Sequence, residues 1–129
     1  MHISAYKGAM RRKPGSLVPL ESDICLAAAD FKRSGGGEFH GYELAKHLSE
    51  VNDRPLLAAY GTLYRALGRL EAMGLLTSRW EDPNIPAREN RPGRRLYTLT
   101  ASGEDAAREA RRAQAEKTTR RAKRRLAPA

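Results

Sequence analysis

Arg65 and Arg69 stand four residues apart in a stretch where Leu63, Leu67 and Leu70 recur at helical spacing. Side chains four apart share a helix face. Both guanidinium groups, with Thr62, are therefore expected opposite the leucine side. A guanidinium is a planar fork of donors, and the guanine edge in a DNA major groove offers two matching acceptors. A helix pinned on its leucines with Thr62, Arg65 and Arg69 outward suits such a groove. Taken alone, the window describes a surface helix with two solvated arginines equally well. A second basic group follows, with Arg88, Arg91, Arg94 and Arg95 inside eight residues. Such a cluster reaches a phosphate backbone or a minor groove, and a solvated loop is the plain alternative.

Other chemistries are poorly represented. His40 and His47 lie seven apart with Glu43 between them, a spacing open to metal ligation but commoner for capping or surface residues. The single Cys25 allows no internal disulfide and fits a reducing cytoplasm. A structural zinc site needs about four ligands. Ser34-Gly35-Gly36-Gly37 lacks the Gly-Lys-Ser/Thr of a phosphate-cradling loop and reads as a connector. No nucleophile elbow or HExxH pair occurs. The expectation is a chain that is not an enzyme and needs no cofactor.

The net charge of +9 is unevenly placed. Residues 1–19 carry +4, residues 20–87 carry −3, residues 88–95 carry +3 and residues 96–129 carry +5. A slightly acidic body with basic extremities suits a polyanion, although basic tails also serve solubility alone. No apolar run approaches the roughly 18 residues of a membrane span, and no secretory leader is evident in residues 1–20.

The elements that must position these groups follow from periodicity and punctuation. Residues 1–19 read as a flexible basic tail broken by Gly8, Pro14, Gly15 and Pro19. A first helix is expected over about 23–33, capped by Ser22 or Asp23, with Ile24, Ala27, Ala28 and Phe31 inward and Cys25 near them. A second runs over about 42–50, with Leu44, Ala45 and Leu48 inward and Tyr42 and Lys46 outward as candidate phosphate contacts. A turn at 52–55 and a short approach over 56–59 lead to the arginine-bearing helix, which Gly74 stops. Strands are expected over about 77–81 and 95–100, with Tyr97 a core or sheet-face residue and Trp80 packed at a sheet–helix junction. Pro83, Pro86 and Pro92 between them predict a long, irregular, mobile tip. Residues 104–126, rich in Ala, Arg and Glu, predict a long helix with only a thin stripe of Ala106, Ala110 and Ala113. The fold class is mainly α with a small β-hairpin: a winged helix-turn-helix over 20–103 and a basic C-terminal helix over 104–129.

Three motifs carry a resemblance. His40-Gly41-Tyr42-Glu43-Leu44, Gly61-Thr62-Leu63-Tyr64 with Ala66-Leu67, Arg69-Leu70-Glu71 and Gly74-Leu75, and Arg95-Leu96-Tyr97-Thr98-Leu99-Thr100 with Gly103 occur in order over about 38–103. Together they resemble PadR-type bacterial transcriptional regulators. The resemblance implies a winged-helix repressor that binds an inverted-repeat DNA operator as a homodimer, in the cytoplasm on the nucleoid. It also allows a lipophilic or phenolic effector, for which Trp80 is a possible stacking group.

By the motif match, Thr62 and Tyr64 would touch the DNA backbone, and the N–H groups of Gly61 and Thr62 would hold a phosphate at an electropositive helix start. For Tyr64, packing under the wing is the alternative. Arg65 is the first choice for a base contact, and Arg69, one turn deeper, could read a base or hold a phosphate. Arg88, Arg91, Arg94 and Arg95 serve the wing, Arg95 alternatively pairing with Glu71 or Glu81. Where many members have Ser-Pro before Gly-Thr-Leu-Tyr, this chain has Ala59-Tyr60, so Tyr60 would offer its own phenol to a phosphate. The C-terminal helix carries fewer apolar groups than the family's pairing helix, which leaves open dimerisation or a second DNA-binding arm. Two other classes compete: a winged-helix architectural protein that binds nucleic acid without reading sequence, and a protein-interaction winged helix. The second leaves the wing arginines unexplained.

Overall fold

A computed structural model describes residues 16–52 and 60–126. The element order is α1 (Pro19–Arg33), α2 (Gly41–Asn52), α3 (Tyr60–Ala72), β1 (Leu76–Trp80), α4 (Asn84–Glu89), β2 (Arg95–Leu99) and α5 (Ala101–Leu126). The expected basic tail up to residue 15 and the approach over 53–59 lie outside the described residues.

α1 begins four residues before the expected start. Proline is tolerated in the first turn, where its missing N–H has no helical partner to lose. Glu21 supplies the cap by reaching back, its Oε1 accepting from the Val18 backbone N–H at 3.0 Å. Ser22 and Asp23 therefore lie inside the helix. The expected inward side holds, with Ile24, Cys25, Ala27 and Ala28 buried. Burial, reinforced by nearby Glu21, pushes the Cys25 thiol up to about 11. It stays a neutral, packed group at ordinary pH.

α3 buries Leu63, Ala66, Leu67 and Leu70. It ends as the sequence predicts, on Gly74 at φ 79°. The Leu75 N–H returns to the Leu70 carbonyl at 3.0 Å, the closing bond of a Schellman cap. β1 and β2 then pair antiparallel from Leu76 opposite Leu99 to Trp80 opposite Arg95. Phe39 adds a third, one-residue rung, exchanging hydrogen bonds with Tyr97 at 3.0 and 2.8 Å. Phe31, Phe39 and Tyr97 stack in series at 5.2 and 5.9 Å between ring centroids, joining α1 to the sheet.

Two expectations fail in the hairpin. Its tip is not irregular: residues 84–89 form α4, with Pro86 buried. Arg91 closes this turn by donating to Glu81 through Nη1 at 2.7 Å and Nη2 at 3.0 Å, and to Glu89 through Nε at 2.7 Å. The prolines prevent regular strand pairing, but Pro86 sits in a short helix whose carbonyl still accepts the Arg91 N–H at 3.0 Å. Trp80 does not pack at a sheet–helix junction either. It is 64% exposed.

α5 packs along α1. It starts at Ala101, three residues early, because Thr100 caps it: the Thr100 hydroxyl accepts from the Gly103 N–H at 3.0 Å and donates to the Gly74 carbonyl at 2.7 Å. Only Gly103 and Ala107 of α5 are buried. Lys32 of α1 pairs with Glu104.

Candidate nucleic-acid interface

The exposed side of α3 carries Gly61, Thr62, Tyr64, Arg65 and Gly68. Arg65 lies across this face, its Nη2 donating to Thr62 Oγ1 at 3.3 Å. Tyr64 is half exposed, and its ring stacks with that of Tyr60 at 6.4 Å. It also covers the start of α2: a Cβ on Gly41 would collide with the Tyr64 phenol. Gly41 is therefore the residue that lets α2 and α3 approach here.

The start of α2 is capped by a histidine. Glu43 Oε1 accepts from the His40 N–H at 3.1 Å, and His40 Nδ1 accepts from the Glu43 N–H at 3.4 Å. This is the reciprocal logic of a capping box. Burial holds the imidazole below its ordinary pKa against the opposing pull of Glu43, which favours the neutral ring the cap requires. His47 is separate, packed on Phe31 at 5.1 Å and 3.5 Å from Asp30. Among the described residues no three His, Cys, Asp or Glu side chains gather to hold a metal ion.

Arg69 does not share the outer face with Arg65. It turns toward α1, where Nε lies 2.7 Å from Oε2 of the buried Glu21 and Nη2 donates to the Ser16 carbonyl at 3.2 Å. The Nε contact is poorly aimed as a hydrogen bond and acts as an ion pair. Helical spacing placed the two Cα atoms correctly. Arg69 sits at the edge of the buried face, and a carboxylate remote in sequence draws its long side chain inward.

The wing arginines divide in the same way. Arg91 is consumed by Glu81 and Glu89 inside the tip, and this contact holds the Glu81 carboxyl below its usual range. Arg88 and Arg94 are exposed. Arg95 pairs with neither Glu71 nor Glu81 directly. Its Nε donates to Ser78 Oγ at 3.0 Å, and Ser78 in turn donates to Glu71 Oε2 at 2.6 Å. Its guanidinium lies 5.2 Å from the centre of the Trp80 ring, a cation–π contact. An open groove of about 280 Å³ between α2, α3 and the wing is lined by His40, Tyr42, Tyr64, Trp80, Arg94 and Arg95, among others. Tyr42 and Lys46 are exposed on α2. Arg69, Arg91 and Trp80 thus lie elsewhere than their spacing predicts, and Glu21 enters the region from outside any motif. Glu21 at the third position of a helix was the available signal.

A three-helix core with the third helix exposed on its polar side, followed by a hairpin carrying free arginines, defines a winged helix-turn-helix protein. The Transcriptional regulator PadR-like family matches residues 34–109, and the chain belongs to that family. It is a DNA-binding transcription regulator and not an enzyme. A PadR family transcriptional regulator from Eggerthella lenta DSM 2243 is 25% identical, at TM-score 0.60, covering 81% of this chain and 82% of that one. A transcriptional regulator from Clostridium thermocellum, Cth-833, has the same fold at 19% identity and TM-score 0.57, covering 84% of this chain and 93% of that one. The circadian clock associated protein Pex from anabaena has it at 24% identity and TM-score 0.52, covering 83% and 90%. No curated protein sequence matches the chain. No helix among the described residues is long and apolar enough to cross a membrane.

Proposed function

We propose that the protein is a repressor that reads an inverted-repeat operator as a homodimer in the cytoplasm, with α3 in the major groove and the wing on the flanking backbone. The observation that carries this reading is the open groove that Tyr42 of α2 and Tyr64 of α3 share with Arg94 and Arg95 of the wing, with Arg65 exposed on α3 next to Tyr64. In this reading Arg65 contacts a base. Thr62 and the N–H groups of Gly61 and Thr62 hold a phosphate at the helix start, where the backbone donors point outward. Tyr42, Lys46, Tyr60 and Tyr64 grip the adjoining backbone, and Arg88, Arg94 and Arg95 extend the contact along the wing. Arg69 and Arg91 are scaffold, because carboxylates of the protein already engage them. A second copy would seat on the open concavity between the start of α1 and the middle of α5, lined by Leu17, Ala106, Ala110 and Ala113.

The test is fluorescence anisotropy on the gene's own upstream DNA and on a scrambled duplex, across a salt series. The parent is expected to prefer the upstream duplex. Arg65→Ala is expected to lower affinity for it by about 10–100-fold while barely changing the scrambled affinity, the mark of a lost bidentate base contact. Equal losses on both duplexes would demote Arg65 to a phosphate contact. A parent that binds both duplexes alike would favour the architectural reading.

Gly68 provides a second check. It is exposed in the middle of α3, and a Cβ there meets nothing within 4 Å. A helix-interior glycine costs about 1 kcal/mol relative to alanine, so Gly68→Ala is expected to raise unfolding stability by about that amount. Gly68 lies one turn beyond Arg65 on the same side, so the added methyl should weaken operator binding as stability rises. If binding were unchanged in a stabilised variant, α3 would not lie close against the groove floor at this position.

A further inference from the structure

The distal half of α5 carries a charge pattern that the operator-reading head does not use. From Gln114 to Leu126 every residue is exposed, a length of about 20 Å at the helical rise of about 1.5 Å per residue. Lys117, Arg120, Arg121, Arg124 and Arg125 occur at i, i+3, i+4, i+7 and i+8. That spacing defines one side of a helix and ordinarily carries an apolar stripe. Here it carries five cations. The opposite side holds Ala115, Thr119, Ala122, Lys123 and Leu126.

The stripe is not balanced within the chain. Glu116, the one carboxylate from 114 to 126, is engaged by Arg112 at 2.7 Å. No ion pair reaches any of the five cations among the described residues. Like charges four apart on one helix repel. The free helix therefore bears a cost that a row of anions would remove.

We infer that this stripe is a second DNA-binding surface, which lies along the phosphate backbone of duplex DNA outside the segment read by α3. The inference rests on the DNA-binding reading of the head. A line of five cations with no acid among them matches a line of phosphates and gives no sequence preference. An anionic membrane is the poorer partner, because a basic helix that beds into lipid needs large apolar side chains on its other side. Leu126 is the only one there.

The experiment uses the full chain and a K117Q/R120Q/R121Q/R124Q/R125Q variant. Glutamine keeps nearly the helix propensity of lysine and arginine, and circular dichroism checks that helix content is retained. Anisotropy on the upstream and scrambled duplexes is recorded against salt. Each lost phosphate contact lowers the log–log salt slope by about 0.9, so the variant should lose up to about 4.5 from the slope on both duplexes and keep the ratio between them. R120Q/R121Q should lose part of this.

A slope indifferent to the five charges, in a parent that prefers the upstream duplex, would overturn the arm and leave the operator reading standing. The expected slope loss in a parent without sequence preference would support the arm and sink the operator reading. Failure of the parent to bind either duplex at low salt would overturn both. Vesicles of phosphatidylserine that displace the duplex from the parent but not from the variant would reassign the stripe to membrane.

Discussion

Gly103→Ala is expected to destabilise the protein by about 3 kcal/mol, the upper part of the range for overpacking a filled core. Gly103 lies in the first turn of α5, where alanine would be the better helix former. Its methyl has nowhere to go. A Cβ there would run into the backbone carbonyl of Leu75 and the side chain of Leu99. The Leu99 side chain could shift, but the Leu75 carbonyl is held in place because it accepts the Thr100 N–H at 3.0 Å. The collision therefore falls on the joint where the end of α3, β2 and the start of α5 meet. A loss of this size lowers Tm by about 10 °C or more in a domain of this length, read by thermal or urea unfolding. A variant within about half a kcal/mol of the parent would mean that α5 can slide off β2 freely. The same geometry explains why threonine and glycine three apart close the hairpin: the hydroxyl caps α5 while the missing side chain admits the Leu75 carbonyl.

Arg69→Ala is expected to cost stability without the signature of a lost DNA contact. Breaking a buried ion pair from one side costs about 3–5 kcal/mol. Here the arginine side chain is 40% exposed, so screening reduces the expectation to about 1–2 kcal/mol. The carboxylate it leaves is 4% exposed in its side chain and also caps α1 through the Val18 N–H. Neutralising that carboxylate should recover part of the loss. In a double-mutant cycle with Glu21→Gln, the two changes should be less than additive. Additive costs would show that Glu21 and Arg69 do not sense each other. In the DNA titration, Arg69→Ala should keep the parent's salt slope, whereas removing a phosphate-binding arginine lowers it by about 1. A lowered slope would return Arg69 to the outer face of α3.

Charge ledgers and helical spacing treat the arginines of such a chain as equivalents, and packing does not. Arg65 is exposed, Arg69 ties α3 to α1, Arg91 closes the wing and Arg95 stacks on Trp80. The expected basic face of α3 and the wing is therefore smaller than composition suggests. What remains exposed there is Arg65, Arg88 and Arg94.

Local pattern was enough for the order and type of the main elements. The leucine spacing of α3, the glycine stop at Gly74 and the alternation around Tyr97 are set by backbone geometry within a few residues, so they could be read directly from the chain. The three motifs identified the winged helix for the same reason: each records a local constraint, such as a cap or a close approach. Tertiary structure alone decided what depends on partners remote in sequence. Glu21 turns Arg69 inward, Phe39 finds Tyr97, Arg91 folds the proline-rich tip into α4, and Trp80 stays largely in solvent with Arg95 over its ring. Periodicity fixes the direction in which a Cβ leaves a helix. A long side chain at the edge of a face then goes wherever its charge is best paired, and only the packed fold brings that partner into reach.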